Sequence, residues 1–193
     1  MPAPDSSFVP VNGLHHVAYR CRDAEETRHF YEDLLGLPLV HVVRGDAVST
    51  GETSHFAHLF FEMTDGSCVA FFDLGDNVVG EPSPNTPRWV NHLALRVESE
   101  AKVDEARKRL EQAGVEVLGP VLHDGFVRSI YFFDPNGIRL EFSYQKGDAD
   151  DVRVVERWTQ TRSEALSELR SLSNDAEWLD QVTQHLPLQR KLA

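Results

Sequence analysis

Two histidines and one glutamate stand where metal chemistry could be done. His16 lies in Leu14-His15-His16-Val17-Ala18-Tyr19-Arg20 and His92 in Val90-Asn91-His92-Leu93-Ala94-Leu95-Arg96, and the two segments share the frame apolar, any, His, apolar, Ala, apolar, Arg. Glu141 puts a carboxylate into an otherwise apolar run that follows Asp134-Pro135-Asn136-Gly137. A histidine on an apolar strand is ordinarily a packing or surface residue, but two equivalent histidines in a repeat, joined by a carboxylate, form a ligand set. Two imidazoles and one carboxylate with open positions suit non-haem Fe(II) acting on oxygen, or Mn(II) or another divalent metal.

The elements that must position these residues repeat as well. After the first histidine strand, Asp23 reads as an N-cap with Glu25 and Glu26 in the first turn. Phe30, Tyr31, Leu34 and Leu35 recur at helical spacing until Gly36 and Pro38 end the helix. In the second copy Ser99 starts a helix, Val103, Ala106 and Leu110 form its stripe, and Gly114 closes it. Three strand-like runs follow each helix, over 39–43, 58–63 and 68–74, then over 115–122, 127–133 and 138–144. Thr64-Asp65-Gly66 and Pro135-Asn136-Gly137 occupy the same place and read as hairpin turns.

The chain is expected to divide into an N-terminal arm (1–11), a first βαβββ module (12–80), a proline-spaced linker (81–88), a second βαβββ module (89–146) and a helical tail (147–193). Neither module can cover its own sheet face. An α+β fold is predicted, in which the paired modules form a curved mixed sheet or barrel around a metal site, with C-terminal helices outside it. Trp158, Leu166, Leu169 and Leu172 mark one tail helix, and Trp178, Leu179, Val182 and Leu186 another. The tail should pack on the barrel or on a partner subunit, with its tryptophans as packing surface.

Bulk properties narrow the function classes. At 193 residues, 41% hydrophobic and 26% charged, the sequence has an ordinary globular composition. A formal net charge of −12 repels phosphate backbones and anionic membrane, so neither nucleic acid nor a membrane is an expected partner. No run approaches the roughly 20 apolar residues of a spanning helix, and Met1 to Pro10 lack the features of a secretion signal, so a cytoplasmic location is expected. Cys21 and Cys68, without CxxC spacing, read as small core residues.

With paired modules carrying His16, His92 and Glu141 on strands, the sequence resembles the vicinal oxygen chelate superfamily over roughly 12–145. That superfamily includes glyoxalase I, epimerases, bleomycin-binding proteins and extradiol ring-cleavage dioxygenases. In its isomerase and epimerase branches a fourth ligand, Glu or Gln, comes from the last strand of the first half. Aligning Gly66 with Gly137 sets Ala70 against Glu141, and alanine has nothing to donate. Asp73 has the wrong strand parity to replace it. The run from Val121-Leu122-His123 through Ile130-Tyr131 and Asp134-Pro135-Asn136-Gly137 to Glu141 resembles the extradiol dioxygenase signature.

The resemblance implies an Fe(II)-dependent dioxygenase acting on a small aromatic diol and O2, with His16, His92 and Glu141 as metal ligands. Tyr131 is the implied acid or hydrogen-bond donor at a metal-bound oxygen, and His123 the group that steers the substrate hydroxyl or shuttles its proton. Related dioxygenases add a histidine from the first half, and His58, sharing parity with Phe60, is the substitute here. The rival reading is a metal-dependent lyase or isomerase of the glyoxalase or epimerase kind. It draws on Arg20, since an arginine so placed binds the glutathione carboxylate in glyoxalase I; Arg20 and Arg96 could equally form rim ion pairs. A third reading is a ligand-sequestering protein, which would lack metal ligands. His15, His29, His41 and His55 read as structural or solvated. Substrate specificity should lie in 45–54 and 78–89, and a homodimer is possible.

Overall fold

The computed structural model describes residues 11–47, 49–147 and 160–189. It is an α+β structure with two four-stranded mixed sheets, ordered β1-β4-β3-β2 and β5-β8-β7-β6. The first sheet is built from β1 (His16–Cys21), β2 (Leu39–Ala47), β3 (Thr53–Glu62) and β4 (Cys68–Asp73), and the second from β5 (Leu93–Arg96), β6 (Leu118–His123), β7 (Val127–Phe133) and β8 (Arg139–Gln145). In each sheet the first strand pairs parallel with the last, and the remaining pairs are antiparallel. Among the described residues β1 and β5 are sheet edges.

The helices start where their caps place them. Asp23 accepts from the Glu26 N–H and opens α1 (Ala24–Arg28), while Ser99 accepts from the Lys102 N–H and opens α2 (Glu100–Gln112). The first helix differs from the expected regular one: it continues as a π-helical turn, His29–Leu34, with the Leu35 N–H bonded to the Phe30 carbonyl at 3.0 Å. The wider turn leaves the consecutive residues Phe30 and Tyr31 both buried. Gly66 and Gly137 hold φ of 84° and 81° at the two matching hairpins, a region closed to most side chains.

Strand parity divides each sheet into two faces with different fates. Leu59, Phe61, Val69 and Phe71 of the first sheet join Leu95, Ile130, Phe132, Leu140 and Phe142 of the second, with helix residues Tyr31, Val103 and Leu110, in one hydrophobic core. The opposite face carries His16, Ala18, His58, Phe60 and Ala70 in the first sheet and Ala94, Ser129, Tyr131 and Glu141 in the second. His16, Ala18, His92 and Ala94 are exposed. The α+β fold of curved mixed sheets is the expected one; the sheets are curved but not closed. Both apolar faces are covered by one shared core; on the opposite faces the edge positions at β1 and β5 are exposed, while Ala70, Ser129 and Glu141 are buried.

Polar contacts between the modules concentrate on the Asp-Pro-Asn-Gly turn. The Arg22 N–H donates to Asn136 Oδ1 at 2.9 Å, Asn136 Nδ2 donates to Thr27 Oγ1 at 3.2 Å, and the Tyr31 hydroxyl donates to Asp134 Oδ2 at 3.0 Å. The linker, residues 81–88, contains no helix or strand. In the tail, α3 (Arg162–Leu169) begins with a Thr161–Glu164 capping box, and α4 (Ala176–Thr183) pairs with it through Arg162 and Asp180. Leu172 and Leu186 fall beyond these helices; Trp158, expected on the first tail helix, and the arm up to residue 10 lie outside the described residues. No helix of the described residues is long and apolar enough to cross a membrane.

Candidate metal centre

His92 sits one residue before β5, and Glu141 lies inside β8, the strand paired with β5. Their side chains meet, with His92 Nε2 3.0 Å from Glu141 Oε2 and side-chain exposures of 32% and 9%. The other ring nitrogen, His92 Nδ1, lies 2.9 Å from the Val90 carbonyl oxygen, which can only accept, so Nδ1 carries the hydrogen. In the neutral ring Nε2 is then a bare lone pair facing a carboxylate oxygen. Two acceptors in that position need a cation or a proton between them, and a divalent ion satisfies both.

Two serines that the sequence reading did not single out fix the carboxylate. Ser143 donates to Glu141 Oε1 at 2.6 Å, and Ser129 donates to Ser143 at 3.2 Å. Burial alone would raise the Glu141 pKa, but hydrogen bonds from Ser129 and Ser143 and the nearby His92 outweigh it and hold the carboxyl below its usual range. The signal for these serines was available in their strand parity, which they share with Glu141 and Tyr131.

Tyr131 is the cross-strand partner of Glu141. Its hydroxyl is 2.8 Å from His123 Nε2, and its ring lies 6.0 Å from that of His92. Burial, then the Glu141 charge, raises the Tyr131 pKa, so the phenol keeps its proton across the neutral range. His92, Glu141, Tyr131 and His123 are thus one cluster on the open face of the second sheet.

His16 stands in a different neighbourhood. Its Nδ1 lies 2.7 Å from that of His15, and its ring is 5.9 Å from His58 and 5.5 Å from Phe60. His58 stacks on Phe72 at 3.7 Å, and its Nε2 is buried without a hydrogen-bond partner among the described residues. Its pKa is lowered by burial, then by His16 and His41. His58 therefore accompanies His16, not Tyr131 and Glu141. Among the described residues no group of three or more His, Cys, Asp or Glu is placed to hold a metal ion. His92 and Glu141 fit a divalent cation as a half-centre, while the three-ligand set is not assembled within one chain.

The register makes the blank position concrete. Ala70 pairs with Ala18 and Phe60, as Glu141 pairs with Ala94 and Tyr131. The first sheet thus offers no carboxylate where the second offers Glu141. Arg20 is engaged at the rim by Asp76 and by the Val78 carbonyl at 3.0 Å. His29 pairs with Asp33 and His55 with Asp46. Residues 45–54 form less of a loop than expected, because β2 reaches Ala47 and β3 begins at Thr53.

The sequence profile described as the Glyoxalase/Bleomycin resistance protein/Dioxygenase superfamily matches residues 13–142. The chain belongs to that superfamily. Members of the superfamily generally bind divalent metals. Among curated proteins, the chain is similar to "Glyoxylase I 4" of Arabidopsis thaliana, 23% identical, covering 75% of each chain. It is also similar to "2-epi-5-epi-valiolone epimerase" of Actinomyces sp, 30% identical over 66% of this chain and 76% of the relative. A glyoxylase/bleomycin resistance protein/dioxygenase domain from Frankia sp. EAN1pec shares the fold, with a TM-score of 0.58, 20% identity, and coverage of 71% of this chain and all (100%) of that domain. The superfamily fold thus spans the two modules and leaves the C-terminal helices outside it.

Proposed function

We propose that the protein is an extradiol-type dioxygenase that opens a small catechol-like diol with O2, with a divalent metal, Fe(II) by its donor set. The carbon–carbon bond beside the diol breaks, and both oxygen atoms end in the product. The observation that carries this reading is the Tyr131–His123 pair, 2.8 Å apart, beside His92 and Glu141, with Ala70 at the position equivalent to Glu141. A bound divalent cation would acidify the diol and connect it electronically to O2.

The chain's own groups divide the remaining work. The protonated Tyr131 hydroxyl donates to a substrate oxygen, and His123 holds and returns the proton at Nε2. The Ser129–Ser143 relay keeps Glu141 ionised and oriented. Completion of the donor set falls to a second copy: the exposed His16 face and the edges β1 and β5 are what a symmetric partner would cover, bringing the partner subunit's His16 to His92 and Glu141.

The test mixes two single variants, His16→Ala and Glu141→Ala, after denaturation and refolding together. In a random mixture about half the dimers are mixed, and each mixed dimer rebuilds one of its two centres, so about a quarter of wild-type ring cleavage should return. No recovery, with both variants folded and the wild type active, rejects the shared centre. Ring cleavage itself is read as a yellow product and oxygen uptake with a panel of catechols. The 30% identical epimerase relative favours a second reading, a metal-dependent isomerase or lyase. Turnover of a glutathione hemithioacetal with Ni(II) or Zn(II), and of no diol, would select it.

A further inference from the structure

The open face of the second sheet carries cationic groups that the reaction above does not use. Arg139 precedes Glu141 by two residues on β8, and its guanidinium lies 4.1 Å from the centroid of the Tyr131 ring. Arg88, at the end of the linker, places its guanidinium 4.4 Å from the centroid of Phe133. Phe133 and Tyr131 are alternate residues of β7 on one face, so the two rings are spaced about 7 Å apart. Arg139 also donates from Nη1 to the carbonyl of Trp89, the residue just after the linker, at 2.6 Å. Among the described residues that leaves most of its five N–H donors without a partner. Trp89 itself is 68% exposed.

These two arginines differ from others in the chain. Arg20, Arg22, Arg28 and Arg128 each hold a carboxylate. Among the described residues, Arg88 and Arg139 are paired with aromatic rings instead. A guanidinium stacked on a ring is oriented and partly desolvated, and its charge is not neutralised. In a chain with a net charge of −12, these two guanidiniums keep their charge with no carboxylate partner among the described residues, and so are free to receive an anionic ligand. A planar guanidinium fork matches the two oxygens of a carboxylate.

We propose that Arg88 and Arg139 form an anion-binding rim that selects a substrate carrying a carboxylate on its aromatic ring or on a short side chain. This deepens the dioxygenase reading and rests on it for the diol, whereas the rim itself binds without turnover. Arg139 anchors the carboxylate next to Tyr131, so the diol end lies toward Glu141 and His92. Arg88 adds the second fork from the linker.

The experiment is anaerobic binding, followed by Trp89 fluorescence and calorimetry, of catechol, 3,4-dihydroxybenzoate, 3,4-dihydroxyphenylacetate and phenyl phosphate. The wild type should prefer the better carboxylated diol over catechol by about 10- to 100-fold, the range of a hydrogen-bonded charge. In Arg139→Met and in Arg88→Met the ratio of the two Kd values should fall to within about threefold of one. Arg88 makes no backbone bond that an Arg88→Met change would remove among the described residues, so it keeps the test open if Arg139→Met disturbs the linker. Equal wild-type affinities, an undiminished ratio in both variants, or phenyl phosphate outcompeting both carboxylates overturns the proposal. Carboxylate preference without any ring cleavage would sink the dioxygenase reading and leave the rim standing. Cleavage of catechol without that preference would do the reverse.

Discussion

Replacing Tyr131 by Phe removes one oxygen and little else. The hydroxyl is half-buried, lies 2.8 Å from His123 Nε2, and also hydrogen-bonds with Ser129 and with Glu141 across the strand pair. Loss of one such hydrogen bond costs about 1 kcal/mol of stability, which for a chain of this size lowers Tm by no more than about 4 °C. If the phenol passes a proton in the slow step, the same substitution lowers kcat by about 100- to 10,000-fold, or about 3 to 5 kcal/mol of barrier. The catalytic effect should therefore exceed the structural one severalfold. His123→Gln should fall in the same range. Because the two side chains act as one pair, the double variant should be no slower than the slower single variant. The assay is ring-fission absorbance at saturating diol and O2, beside a thermal melt of each variant. A Tyr131→Phe enzyme within threefold of wild type, with an unchanged Tm, refutes the proton-transfer role. Multiplying single effects in the double variant refutes the pair.

Four other outcomes follow from the contacts and burial of named residues. Asp134→Ala strips the acceptor of the Asn136 and Ile138 N–H groups at 2.9 and 2.7 Å and of the Tyr31 hydroxyl; chemical denaturation should show a loss of about 3 to 5 kcal/mol, and a loss below 1 would contradict the docking role of this turn. Burial raises the Asp134 pKa, so its folded value exceeds the unfolded one, and its stabilising contribution is full at low pH and lost as pH rises through the raised value. The wild-type advantage over Asp134→Asn should accordingly shrink with rising pH, and a widening gap would reverse the sign of the argument. Ser143→Ala should weaken divalent-metal affinity about 10- to 100-fold in a chelator competition, with little change in Tm, since it frees the carboxylate that Ser143 holds at 2.6 Å. Cys21 is buried and its thiol is pushed up to about 11, chiefly by burial, while Cys68 is only half-buried; a thiol reagent at pH 8 should label Cys68 slowly and reach Cys21 only on unfolding.

Much of the candidate site was legible because strand parity and turn chemistry are local. The repeat around His16 and His92, the caps at Asp23 and Ser99, and the matched glycines 66 and 137 follow from short-range spacing. So does the Ala70 blank, which the observed register reproduces residue for residue. The π-helical turn after Arg28 was not legible, because burying Phe30 and Tyr31 together is a demand of the core and not of helix propensity. The serines at 129 and 143 look like ordinary strand polar residues until the strands are paired.

What the sequence determined by itself is the composition of each half: which side chains share a face, and that one half offers an imidazole and the other an imidazole with a carboxylate. Only the tertiary structure decided how the halves face. Alternation commits each apolar face to burial but does not say against what, and here both are buried in one common core. That choice leaves His16 and His92 exposed, keeps His16 out of the Glu141 cluster, and stacks Arg88 on Phe133, a ring far from it in sequence. Rigid-body placement is set by the sum of many non-local contacts, none of which is written in the spacing of any single segment.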